Sequence, residues 1–206
     1  MAKASLWGEL RRDFRAIYEG DPAIRKNWAG RLETLLCTPG LHALAAHRLI
    51  HRLHGLGVPV LPRFLALWVR LLTGIEIHPG ARIGAGTFID HGMGVVIGET
   101  AEIGEDCLLF HGATLGATGN ERQRKRHPTL GRGVLVGSGA RILGPVTVGD
   151  GARIAAGAIV LEDVPPGATV AGPKARVVRR RGKQVLPPLP VERGEQAALP
   201  VGPRAA

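Results

Sequence analysis

Two short stretches carry the residues best able to do chemistry, Asp90-His91-Gly92 and Arg126-His127-Pro128. An imidazole titrates near neutrality, so a histidine can take a proton from a hydroxyl and give it back. A carboxylate beside an imidazole favours its cation. A guanidinium matches a planar anion with paired hydrogen bonds. These types suit proton transfer beside an anion-binding cation.

Both stretches interrupt a regular pattern. From Ile77 onward an aliphatic residue returns every six positions, at Ile77, Ile83 and Ile89, then from Ile97 to Leu115, then from Leu130 to Val160. A small or β-branched residue stands two positions earlier, as at Ala81, Ala101, Cys107 and Ala140, and glycine usually follows. A period of six excludes an amphipathic helix, which spaces its apolar residues by three and four. It fits a short strand closed by a tight corner, with the aliphatic side chain inward and glycine supplying the corner. Three such strands make a triangular coil of about eighteen residues, so the stretch holds roughly five coils of a parallel β-helix.

The breaks lie at the reactive residues. Ile89 to Ile97 is eight residues, and Leu115 to Leu130 is fifteen. Solenoids place insertions in outward loops, and loops on rigid scaffolds carry function. The first insertion holds Asp90-His91-Gly92 and the second runs from Gly119 to Pro128. His91 and His111 each follow an aliphatic position by two residues, three rungs apart, so they are expected to stack on one side of adjacent coils.

With these residues in view the sequence resembles the serine acetyltransferases of the hexapeptide-repeat acyltransferase superfamily. The matching segments are Asp21-Pro22-Ala23, Gly40 to Leu44, Ile77-His78-Pro79, Ile89-Asp90-His91, Gly98-Glu99-Thr100, Thr114-Leu115-Gly116, Arg126-His127-Pro128 and Ala171-Gly172. The resemblance implies an α+β fold, with an N-terminal helical segment followed by a left-handed parallel β-helix. It implies acetyl transfer from acetyl-CoA to the hydroxyl of L-serine by direct attack, the first step of cysteine synthesis from serine. In that scheme His91 is the general base, Glu76 pairs with it, and His127 assists the transition state. Asp21 and Asp90 hold the serine ammonium side, and Arg126 binds the serine carboxylate. Coenzyme A runs between neighbouring solenoids of a homotrimer, against Gly116, Ala117, Gly137, Gly139, Ala140, Ala155 and Ala156, with Lys174 and Arg176 at the nucleotide phosphates. No metal is implied.

The resemblance also implies L-cysteine as a feedback inhibitor at the serine site. Longer members join trimers into hexamers through an additional helical region; the short N-terminal part here favours the trimer. Members dock O-acetylserine sulfhydrylase through a terminal isoleucine. This chain ends Pro203-Arg204-Ala205-Ala206, which leaves that partner open. Two enzyme alternatives stay open: a hexapeptide acetyltransferase for another hydroxyl acceptor, and a γ-carbonic anhydrase-like metalloenzyme using His78, His91 and His111. A noncatalytic scaffold would leave both insertions unexplained.

The elements that position these residues divide the chain into a helical segment 1–74, a β-helix 75–178 with a loop at 117–129, and a disordered tail 179–206. Ser5 to Gly20 has helical spacing, with Ser5 as N-cap. Asp21 reads equally as N-cap of a helix over 22–37, with Pro22 at its first position. Pro39-Gly40 separates that helix from one over Leu41 to Leu53, and a last helix runs from Val60 to Thr73. His42, His47, His51 and His54 do not share one helical face, which argues against a metal cluster. The 206 residues carry a formal net charge of +10, spread along the chain without a nucleic-acid motif. A basic surface suits a polyanion such as coenzyme A. No run of eighteen apolar residues and no secretory leader is read. Cys37 and Cys107 are the only cysteines, and Cys107 occupies an inward position. The expectation is a cytoplasmic protein without disulfides, membrane span or nucleic-acid partner.

Overall fold

A computed structural model describes residues 5–119, 125–172, 179–180 and 183–184. The described residues up to Gly172 form one compact unit that contains both the helices and the solenoid. The first helix, α1, spans Leu6–Gly20, and the Ser5 hydroxyl caps it by accepting the Gly8 N–H at 3.2 Å. The second, α2, begins only at Trp28 and runs to Cys37. This corrects the helix expected from residue 22. Asp21 instead closes α1, donating its N–H to Ile17 O at 3.0 Å, while its carboxylate accepts the Ala23 N–H at 2.8 Å. Asn27 is the true N-cap of α2, bonding the Gly30 N–H at 3.0 Å. Pro39 does not separate elements; it opens α3, Pro39–Gly55, where its missing N–H costs nothing. The fourth helix, α4, spans Leu61–Thr73 and ends on Gly74 in the left-handed conformation.

From Glu76 the chain winds into a triangular parallel β-helix, the left-handed prism that the resemblance implies. Its three faces contain five, four and five strands. The first face stacks Glu76–Ile77, Val96–Ile97, Thr114–Gly116, Arg141–Leu143 and Ile159–Val160. The second begins with Arg82–Ile83 and the third with Phe88–Asp90. Like stacks on like: Ile77 on Ile97, Ile97 on Leu115, Leu115 on Ile142. Every aliphatic position of the repeat from Ile77 to Val160 is at most 9% exposed. Each such burial contributes about 1.5–3 kcal/mol, the main force that stacks the coils. Cys107 lies inside with them, 1% exposed. Arg179–Arg180 and Lys183–Gln184 pair as two short antiparallel strands; the rest of the expected tail lies outside the described residues.

Buried polar contacts clamp the helices onto the first coil. Arg48 of α3 bonds both carboxylate oxygens of Asp13 from α1, at 3.0 and 3.1 Å. It also donates to the carbonyls of Ile83 and Gly84 at the second face. Asp13 in turn accepts the Gly86 N–H at 2.8 Å. The α3 histidines are used in the same way. His47 Nε2 donates to Ala81 O at 3.2 Å, and His51 Nδ1 to Pro79 O at 2.8 Å. Gly40 lets α3 approach the third face, because a Cβ there would stand 2.1 Å from Ile89 O.

Candidate active site

The corner after the third face carries His91. The strand Phe88–Asp90 ends, and the chain turns at His91 with φ 58°. An L-residue in this left-handed region costs roughly 1–2 kcal/mol, and such residues cluster where function holds them. Gly92 follows with φ 74°, and a Cβ on it would come within 2.4 Å of Ile75 Cδ1. The turn therefore presses on the core and pushes the His91 side chain outward, where it is 76% exposed. Asp90 Oδ1 lies 3.8 Å from His91 Nε2, close enough for charge attraction but beyond a hydrogen bond. His111 stands one coil away, its ring edge-on to His91 with centroids 5.9 Å apart, as the rung count requires. Gly20, the residue before Asp21, lies against the Phe88 ring at the start of the same strand, where a Cβ would stand 3.4 Å from Cδ1.

The same corner continues down the prism through Gly137–Ala140 and Ala155–Ala158. Gly139 donates its N–H to His111 O, and Gly157 to Ser138 O, so the corners stack directly. A Cβ on Gly139 or Gly157 would meet nothing within 4 Å, so the column has an open outer side. Five of the expected coenzyme A residues, Gly137, Gly139, Ala140, Ala155 and Ala156, belong to this histidine corner. Gly116 and Ala117 lie at the opposite edge of the first face, where the long loop begins. Lys174 and Arg176 lie outside the described residues.

The corner between the first and second faces carries the other cluster. Here Gly98-Glu99-Thr100 cradles Lys125-Arg126-His127. Arg126 Nη2 donates to Glu99 Oε2 at 2.7 Å. Lys125 Nζ donates to Thr100 O at 2.7 Å. His127 is only 7% exposed, and its ring lies on Gly98, where a Cβ would come within 2.0 Å of Cδ2. Burial first, and the cations Arg126 and Lys125 next, push the His127 pKa down, with Glu99 opposing. Loop residues 120–124, including Arg122 and Arg124, lie outside the described residues.

Within one chain, then, the structure brings Asp90, His91 and His111 together, and separately Glu99, Thr100, Arg126 and His127. The two clusters stand at opposite edges of the first face. Glu76 does not pair with His91 here: its carboxylate is held by Arg70 of α4, Nη1 to Oε2 at 2.9 Å. The last turn of α4 delivers a guanidinium to the first strand. His78 sits at the loop corner, accepting the Gly80 N–H on Nδ1, apart from His91 and His111. Among the described residues no group of three or more side chains is arranged to hold a metal. A concavity of about 550 Å³ between α3 and the second face is lined by none of the predicted residues. Thr100 and Gly98 both contact His127, and pattern alone singled them out only as part of Gly-Glu-Thr.

A hexapeptide-built prism with reactive side chains on its corners defines a transferase of the hexapeptide class, and residues 127–162 match the family described as bacterial transferase hexapeptide (six repeats). A serine acetyltransferase of Synechococcus elongatus is 54% identical over 178 residues, 86% of this chain and 71% of the relative. The crystal structure of Neisseria gonorrhoeae serine acetyltransferase in complex with serine superposes with a TM-score of 0.76 at 41% identity, covering 84% of this chain and 68% of that one. Entamoeba histolytica serine acetyltransferase 1 in complex with L-cysteine gives 0.75 at 40% identity, covering 81% and 63%. The chain belongs to the serine acetyltransferase family.

Proposed function

We propose that this protein transfers the acetyl group of acetyl-CoA to the hydroxyl of L-serine, and that each site is assembled between two chains of a homotrimer. The observation that carries the reading is the split itself: an exposed acid–base corner and an anion-binding corner on opposite edges of one face. A second copy set edge to edge joins them across a cleft, with His91 from one chain and Arg126 and His127 from its neighbour. Closed cyclic assemblies build shared sites of this kind from one repeated contact.

In such a cleft Asp21 and Asp90 attract the serine ammonium, and Arg126 binds its carboxylate with a fork already steadied by Glu99. His91 accepts the proton of the serine hydroxyl as its oxygen bonds to the thioester carbon. His127 offers an N–H to the oxygen that becomes negative. The carbon–sulfur bond then breaks, and His91 returns the proton to the sulfur of coenzyme A. No acetyl-enzyme forms. The thin pantetheine arm lies along the small-residue columns, Gly137 to Ala156 on one chain and Gly116-Ala117 on the next. Lys174 and Arg176 are assigned to the nucleotide phosphates. Glu76 would support His91 only by exchanging its ion pair with Arg70.

L-Cysteine carries the ammonium and carboxylate of serine, so it fits the same charges and is proposed as the feedback inhibitor; the L-cysteine complex of the Entamoeba relative supports this. No helix among the described residues is long and apolar enough to cross a membrane. The reaction is assigned to the cytoplasm, where both substrates are available. The direct test is acetyl-CoA consumption with L-serine against sugars and other hydroxy amino acids. Serine-selective turnover supports the reading, and turnover confined to a sugar overturns it.

A further inference from the structure

We propose that Thr100 is a positioning residue that fixes the tautomer of His127, keeping Nδ1 as acceptor and the ring proton on Nε2. The Thr100 hydroxyl meets three neighbours. It lies 3.1 Å from the Arg126 N–H and 3.2 Å from the His127 N–H, and both can only donate to it. A hydroxyl has two lone pairs and one proton. With its lone pairs occupied, the proton goes to the third neighbour, His127 Nδ1, at 2.9 Å. The backbone N–H of Thr100 also points at that nitrogen, at 3.2 Å. A proton on Nδ1 would face two donors, so the neutral ring carries it on Nε2.

The ring cannot escape by turning over. A flip would exchange Nδ1 for a carbon and strand both Thr100 donors, and the ring is packed against Gly98 at a separation no Cβ would allow. Lys125 holds the Thr100 carbonyl, which fixes the donor itself. Among the described residues no group bonds Nε2. Its N–H is therefore the one ring donor left for a substrate. The burial and nearby cations that lower the His127 pKa act in the same direction, against a second proton.

The catalytic meaning rests on the function proposed above. His127 is then confined to donation, toward the oxygen that becomes negative, and His91 alone takes the serine proton. Thr100 separates the two roles although it touches no reacting atom.

The test is the ring-nitrogen NMR spectrum of the resting, ¹⁵N-histidine-labelled protein, with His127 assigned by loss of its signals in His127→Gln. Wild type and Thr100→Ser should show a bare Nδ1 and a protonated Nε2. Thr100→Val keeps the shape and the 3.2 Å backbone N–H but loses the nearer donor, the hydroxyl at 2.9 Å, and should show a measurable share of the Nδ1–H tautomer. Its turnover with L-serine should fall roughly 10–100-fold, the usual effect of removing a group that orients a site histidine, while Thr100→Ser stays near wild type. A single Nε2–H tautomer in Thr100→Val, or an Nδ1–H in wild type, overturns the proposal. A wild-type protein without serine-dependent turnover overturns the catalytic role together with the proposed function, and the spectra still decide the tautomer.

Discussion

His91 pays for its position with a left-handed backbone, and that makes its role separable from stability. Asparagine tolerates this conformation better than most residues. His91→Asn should therefore keep the thermal midpoint of wild type or exceed it, while turnover with L-serine falls roughly 10²–10⁴-fold. A calorimetric scan beside a rate assay checks both. His47 makes an opposite kind of prediction. Burial first, with His51 and Arg48 nearby, lowers its pKa to about 3. The unfolded chain binds a proton on this residue near the ordinary histidine value, and the folded chain does not. Stability on this account is complete above about pH 6.5 and is lost progressively as pH falls toward 3. His78, lowered to about 4 mainly by burial, adds to the same slope. Urea midpoints of wild type should drop more steeply over that window than those of His47→Gln; equal slopes would remove His47 from the acid response.

The elements were legible where periodicity sets them. The six-residue repeat specifies which side chains enter the prism, and the rung count places His91 beside His111. The start of α2 was not legible, because Asp21 and Asn27 are both good caps and only the packed chain chooses between them. Nor were the partners of Glu76 and Thr100. Arg70 reaches Glu76 across a helix end, and Thr100 meets His127 across a loop of 27 positions. Nor was the clamp of α1 and α3 on the first coil, which depends on Asp13 and Arg48, 35 positions apart. These side chains are 0% and 5% exposed. Removing one partner of such a pair leaves a buried charge and costs about 3–5 kcal/mol. Asp13→Ala should lower unfolding stability by that amount in urea titration. A loss below about 1 kcal/mol, the range of exposed ion pairs, would show that the clamp is not what fixes the helices.

At the scale of the molecule, the sequence named the reactive residues but not their distribution. Pattern and resemblance placed Asp90-His91 and Arg126-His127 in one site, whereas the fold puts them on two corners of one prism. The geometry follows from the period itself. His91 ends a third-face rung and Arg126-His127 precedes a second-face rung, so the whole first face lies between them. One chain therefore presents two half-sites, and the proposed trimer supplies three whole ones. The claim is tested most directly by mixing two inactive variants, His91→Ala and Arg126→Ala, dissociating them and reassembling them together. If each site takes His91 from one chain and Arg126 from the next, random reassembly restores intact pairs at about a quarter of the interfaces. The account predicts that activity returns toward that fraction of wild type in the mixture and in neither variant alone. A mixture as inactive as its components, in trimers shown by native mass spectrometry to contain both chains, would contradict it.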